Sequence, residues 1–292
     1  MVIAVVAALM AALGYAVASV LQHQAVGREP SSHSMRPRLV LRLLARPRWL
    51  IGAAVNLTAY GFQFLALSYG SLVLVQPLMV SGLLFALPFG AVVGHKHMSR
   101  TDWLGALAVF AGVTVFLLVA SPSKGNPEPS GLAWAVVFVI TLGIAGILVF
   151  AAGRHTARRT MYLACATGIF YGLTAALTKT VAHLVSNDAV GALGQWQPYA
   201  LMAVALLSLL VGQSAFQSGP LSSSLPVLAV VDPVVSIVIG ALAFKETVNT
   251  SGATLPIELA ALASMVIGIF ILGTSDLVAG PADRPAESRP PS

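Results

Sequence analysis

Long apolar runs separated by short polar interruptions dominate this chain. Nine stretches of 18 or more mostly apolar residues stand at 2–25, 49–69, 71–93, 102–120, 131–152, 161–185, 198–216, 221–243 and 256–273. A bilayer core about 30 Å thick needs about 20 apolar helical residues to cross it. Backbone N–H and C=O groups find no water partner in hydrocarbon, so each stretch has to close its own hydrogen bonds as a helix. The pattern predicts an all-α integral membrane protein with nine transmembrane helices.

Composition agrees. The chain is 57% hydrophobic and 9% charged, where soluble domains carry about 25% charged residues. The net charge of +6 could mark a nucleic-acid binder, but the basic residues sit in short loops between apolar stretches, so no nucleic-acid partner is expected. The single cysteine, Cys165, excludes an intramolecular disulfide and a multi-cysteine metal site, and reads as helix filler. Ala16-Val17-Ala18 resembles a signal-cleavage site, but no Lys or Arg precedes the first apolar run, so that run is expected to stay as a span.

The basic residues set an orientation. Arg28, Arg36, Arg38, Arg42, Arg46 and Arg48 lie between the first two spans. Lys96 and Arg100 follow the third, Arg154, Arg158 and Arg159 follow the fifth, and Arg284 and Arg289 stand in the tail. With nine spans all four groups fall on one side, 13 of the 16 basic residues, leaving Lys124 and Lys245 opposite and Lys179 inside a span. The positive-inside rule then puts the N-terminus outside and the C-terminus in the cytoplasm of a plasma-membrane protein. Within 36–48, Arg38, Arg42 and Arg46 recur every four residues against Leu39, Val40, Leu43 and Leu44. That spacing suits a short helix lying on anionic lipid better than a tenth span. The tail, 275–292, is rich in proline and polar residues and is expected to be disordered.

An internal repeat is visible. Tyr15 and Leu21 align with Tyr171 and Leu177, and the polar triplet Gln22-His23-Gln24 aligns with Thr178-Lys179-Thr180. At an offset of 149, Ala66, Gly70, Leu72, Pro77 and Lys96 match Ala215, Gly219, Leu221, Pro226 and Lys245. Ala106-Leu107-Ala108 also matches Ala261-Leu262-Ala263. The division is a four-helix unit at 1–120, a connector at 121–160 and a second four-helix unit at 161–274. After four crossings the connector crosses once more, so the second unit starts on the opposite face. That is an inverted repeat, an architecture whose sites lie near the midplane between the halves.

The candidate chemistry is sparse. Asp232 stands halfway along the eighth span, where a charge costs about 2.5–3.5 kcal/mol on insertion scales, so it has to be protonated, paired or facing water. Pro226 and Pro233 in the same span, and Pro77 in the third, are expected to loosen their helices and free carbonyls. Lys179 is a possible partner of Asp232, and with its repeat counterpart His23 it could form one polar station near each face. Asn56, Tyr60 and Gln63 share a face of the second span, and with Gln22, Gln76, Gln213 and Gln217 they are candidates to line a cavity. Gly168-x-x-x-Gly172 reads as a close-packing motif. Asp102 and Glu258 read as acids at helix starts. No nucleophile motif, zinc signature or phosphate loop is present, so no enzymatic activity, cofactor or metal site is expected, and His95 and His97 are opposed as ligands by the basic residues around them.

Three stretches resemble a known group: Asn56-Leu57-Thr58-Ala59-Tyr60, ALSYGSLVLVQPL at 66–78, and Phe244-Lys245-Glu246 closing the eighth span. They are similar to the drug/metabolite transporter superfamily, nearest to its NIPA-type, magnesium-transporter-like branch, which has nine predicted spans, rather than to the ten-span EamA-like members. The resemblance implies a secondary carrier that moves a small solute by alternating access, with Mg2+ or another divalent cation as the alternative cargo. A membrane interaction or lipid-handling protein is the reading from a different class. The partners expected are a small solute or ion, and anionic lipid at the Arg-rich loop.

Overall fold

The computed structural model describes residues 1–26, 47–82, 84–85, 99–119, 123, 125–153, 158–218, 221–247 and 254–273. These form nine α-helices and no strand: α1 (Val2–Val26), α2 (Pro47–Tyr69), α3 (Leu72–Met79), α4 (Arg100–Val119), α5 (Gly131–Ala151), α6 (Arg159–Asn187), α7 (Gln197–Ser218), α8 (Leu221–Leu242) and α9 (Thr254–Gly273). A 3-10 turn, Gly191–Gly194, precedes α7. Each helix lies on one of the nine apolar stretches. Residues 27–46, with most of the Arg-rich segment, His95-Lys96-His97, Gly219 and the tail lie outside the described residues, as do the side chains of Gln22, His23, Gln213, Gln217 and Pro226.

Local chemistry sets the helix starts. Ser71 and Ser130 cap α3 and α5 by accepting from the N–H groups of Leu74 and Ala133, each at 3.2 Å. Ser99 and Asp102 form a reciprocal capping box at α4: the Asp102 carboxylate accepts from Ser99 N–H at 2.8 Å, and Ser99 Oγ accepts from Asp102 N–H at 3.1 Å. The third helix is shorter than its apolar stretch. Pro77 has no N–H to offer the Val73 carbonyl, and the helix gives way after Met79 to i→i+3 bonds from Val80, Ser81 and Leu84. The eighth helix differs from expectation in the other direction, running unbroken from Leu221 to Leu242 through positions 226 and 233.

Four segments are long and apolar enough to cross a bilayer: Leu50–Tyr69, Gly131–Ala151, Arg159–Asn187 and Thr254–Leu272. The apolar parts of α1, α7 and α8 described here are shorter. Large apolar side chains cover the outer surface, among them Leu107, Leu118, Leu132, Ile147, Phe150 and Leu210. Water would not tolerate so much exposed hydrocarbon. The fold is that of an all-helical protein with an apolar exterior, as a membrane protein requires.

The helix α6 is the axis of the packing. It runs buried for most of its length from Leu163 to Ala182 and touches α2, α5, α7 and α8. Its contact with α8 is close because Gly168 and Gly172 carry no side chain: a Cβ there would stand 2.7 Å and 2.8 Å from Val231 and Val235. Helix α1 packs on α2, and α4 packs on α9 through Gly105, Gly112 and Gly268. In lipid such contacts are held by van der Waals packing of small residues rather than by burial from water.

One end of the bundle is tied together by its loops. Ser123 N–H donates to Thr247 O at 2.8 Å, Asn126 N–H to Phe244 O at 2.6 Å, and Thr180 Oγ1 to Pro127 O at 3.2 Å. Ser123, the turns at 125–130 and 243–247 and, through Glu246, the start of α3 share this end. Arg158 and Arg159 stand at the other end of α6, roughly 30 Å from Lys179 at 1.5 Å per residue.

Candidate functional site

Asp232 sits midway along α8, level with Gly168 and Gly172 of α6. A Cβ on these glycines would approach its backbone N and O, each at 3.2 Å. Its carboxylate accepts from Ser236 Oγ, one turn on, at 3.3 Å. Tyr15 of α1 and Tyr171 of α6 lie within electrostatic reach of it, and Tyr60 of α2 within reach of Tyr15. Tyr15 donates to Gln63 Oε1 at 2.6 Å. The Tyr60 hydroxyl pairs with Thr178 Oγ1 at 3.0 Å, and Thr178 donates on to Thr174 O at 2.8 Å. A half-buried polar column therefore climbs from Asp232, between α1, α2, α6 and α8, toward Thr178. Tyr60 and Gln63 join it, whereas Asn56 is exposed on α2.

Directly above the column stands Lys179. Its partner is Glu246, not Asp232. The reason is length: Lys179 lies at least seven residues beyond the level of Asp232, which is roughly 10 Å along the axis and beyond the reach of a lysine stem. Both members of the pair are buried, with side chains 3% and 0% exposed. Glu246 also accepts from the N–H groups of Leu72 and Val73, each at 2.9 Å, so one carboxylate holds the ammonium and two orphan donors at the start of α3. The Lys179 Nζ lies 4.7 Å from the centroid of the Phe244 ring, a cation–π contact.

The chain bends to make this possible. Lys245 takes φ 56, a left-handed conformation that folds Glu246 back until its N–H meets Gly240 O at 3.0 Å. Gly240 makes room, since a Cβ there would stand 2.6 Å from Glu246 Oε2. Trp134 of α5 packs edge-on to Phe244 at 6.0 Å and to Trp196 at 5.6 Å, walling this end with rings.

The residues expected to act near Asp232 are thus divided. Tyr60, Gln63 and Asp232 fall in one column, and Lys179 belongs to a separate ion pair. Glu246, Tyr15 and Tyr171 complete these groups, although the sequence marked them only as repeat or resemblance positions and not as site residues. The demand of a buried lysine for a carboxylate would have pointed to one of the acids of the same end, Glu128, Asp188 or Glu246. Gln76, on α3, is 2% exposed, and its Nε2 meets no acceptor among the described residues. Glu258 is buried on the second turn of α9. Pro77 and Pro233 line an apolar cleft of about 60 Å³ between α3, α8 and α9, together with Val230, Ile237 and Met265.

The fold is that of an all-helical protein with an apolar exterior and ionisable groups buried in its interior. The chain is 29% identical over 281 residues to an uncharacterized protein of Corynebacterium glutamicum, an alignment covering 95% of this chain and 97% of that one. No protein-family model matches it, and no solved structure does.

Proposed function

We propose that this chain is a secondary transporter that moves a small solute by alternating access, in the manner of the drug/metabolite transporter superfamily it resembles. The observation that carries the reading is the polar column. Ionisable groups inside a membrane bundle are costly and mark solute or proton pathways, and here Asp232 lies at the α6–α8 contact, in a bundle where Tyr15 and Tyr60 make part-buried hydrogen bonds between α1, α2 and α6.

The packing supports a 4+1+4 inverted repeat. Helix α3 touches α8 and α4 touches α9, so two helices of the first unit meet their own counterparts, as elements near a pseudo-two-fold axis must. Tyr15 and Tyr171, equivalent in the repeat, are both within electrostatic reach of Asp232. The basic end is the cytoplasmic one, and the Lys179–Glu246 end faces outward. In this reading the ion pair and the rings of Phe244 and Trp134 close the outer gate over the column, and proton coupling runs through Asp232.

The divalent-cation alternative has less support. Among the described residues no three His, Cys, Asp or Glu side chains gather, and Mg2+ and Ca2+ favour several oxygen ligands.

Proteoliposomes loaded with a pH-sensitive dye test the reading. A library of amines, amino acids, organic anions, sugars and divalent salts is added outside. Wild-type protein is expected to give proton flux with some class of solute, and Asp232→Asn to abolish it. Equal flux in the Asp232→Asn vesicles would exclude the role given to Asp232, and a library with no response would contradict proton-coupled transport.

A further inference from the structure

We propose that residues 125–128 form a strap that closes the Lys179–Glu246 end of the bundle, and that Glu128 and His183 make this closure respond to pH, tighter in acid. The device is local to this end and stands independently of the transport reading.

The strap is tied to α6 and to the 243–247 turn. Asn126 N–H donates to Phe244 O at 2.6 Å, Thr180 Oγ1 to Pro127 O at 3.2 Å and, just before the strap, Ser123 N–H to Thr247 O at 2.8 Å. Gly125 takes φ 61, and a Cβ there would run into Phe244 O and stand 2.9 Å from Glu246 Cγ. The glycine lets the backbone lie directly against the residue that holds Lys179. Thr180, next to Lys179 in α6, is buried where the strap meets it.

The remaining tie can titrate. His183 Nε2 stands 3.5 Å from Glu128 Oε1 and 3.0 Å from Asn187 Nδ2. These two neighbours ask opposite things of one nitrogen. As a neutral acceptor, Nε2 takes the Asn187 amide N–H, a bond within α6 that does nothing for the strap. Protonated, it becomes a charged donor, and the Glu128 carboxylate is its partner. Histidine changes charge between about pH 5 and 8. By linkage, the strap position that attracts the proton is favoured by it. Closure is therefore fullest at the acid end and is lost as pH rises.

The other charged groups near His183 are engaged or distant. On α6, Lys179 is joined to Glu246, and Asp188 accepts from Val190 N–H at 3.1 Å. Helix α5 carries no ionisable side chain and the Gly191–Gly194 turn none, and α7 carries only Tyr199. Helix α2 brings Tyr60, Tyr69 and, at its far end, Arg48. Asp232 of α8 lies roughly 15 Å or more down the α6 axis. Lys245 is exposed on its turn, and Lys124 lies outside the described residues.

The test is hydrogen exchange on the purified full-length protein, read at the Asn126 and Glu128 amides across about pH 5 to 8 and expressed as protection, which divides out the intrinsic pH dependence of exchange. Asn126 N–H is held by Phe244 O at 2.6 Å and Glu128 N–H by Asn126 Oδ1 at 3.0 Å. Wild type is expected to lose about two- to fivefold of its protection from the acid to the alkaline end, as suits an exposed ion pair. His183→Gln and Glu128→Gln should be flat and poorly protected. The Glu128→Lys/His183→Glu double variant reverses the pair with groups charged throughout the range, and it should stay protected with no slope. Leu142 on α5 supplies the reference amide. Thr180→Cys in a Cys165→Ser background reads closure itself: at the acid end, adding Glu128→Gln should speed its reaction with a thiol reagent about two- to fivefold. The proposal is overturned by a flat wild type, by a slope that survives in either single variant or appears at Leu142, by a double variant no better protected than the singles, or by equal labelling with and without Glu128→Gln.

Discussion

The ammonium of Lys179 and the carboxylate of Glu246 meet in the interior, 67 residues apart in sequence, and the same carboxylate holds the first N–H groups of α3. Three separate pieces of chain, α6, the turn after α8 and the start of α3, are thereby fixed by one side chain.

Breaking this junction should be costly and asymmetric. Removing one partner of a buried pair costs about 3–5 kcal/mol. Glu246→Ala also strips two backbone donors of their acceptor, so it should lower the melting temperature more than Lys179→Met does. The Lys179→Met/Glu246→Gln double variant should lose less than the sum of its singles, because neither charge is left alone. Thermal melts in detergent give the cycle, and additive losses would contradict a coupled pair.

Glycine substitutions should separate the junction from helix propensity. Gly240→Ala sets a methyl 2.6 Å from Glu246 Oε2 and should destabilise by about 1–3 kcal/mol through overpacking. Gly143→Ala on α5 meets nothing within 4 Å and should be neutral or stabilise by up to about 1 kcal/mol. Chemical or thermal unfolding checks the pair, and equal effects at the two sites would contradict the close contact.

The helices were legible in the sequence because a long apolar run has to close its own backbone hydrogen bonds. Asp232 stands out as a lone acid in an apolar run, and the structure places it at the contact of α8 with α6. Glu246 was not legible. It stands four residues past the end of α8, where a charge reads as a solvated loop, and only the left-handed turn at Lys245 returns it to the interior. Lys179 was legible as important but not in its pairing, because the level of a side chain along one helix relative to another is set by packing. Here the contact of Gly168 and Gly172 with α8 fixes it. The unbroken α8 shows the limit of reading prolines alone, since neighbouring helices can hold a proline-containing helix together.

Tyrosine substitutions should distinguish function from stability. Tyr60→Phe and Tyr15→Phe each remove one hydrogen bond in the column, worth about 0.6 kcal/mol between membrane helices. Melting should barely change, while solute-driven flux in the dye-loaded vesicles should fall severalfold. A loss of stability with unchanged flux would assign both residues to packing.

The most direct test of alternating access is two-sided labelling of the column. In a Cys165→Ser background, a cysteine at Thr174 is exposed to a membrane-impermeant thiol reagent from outside or from inside sealed vesicles, with Leu107→Cys on the apolar exterior as the control. The account predicts that position 174 labels from both faces, that Glu246→Ala raises labelling from the outside, and that position 107 labels from neither. Labelling of position 174 from neither face, or from one face unchanged by Glu246→Ala, would contradict it.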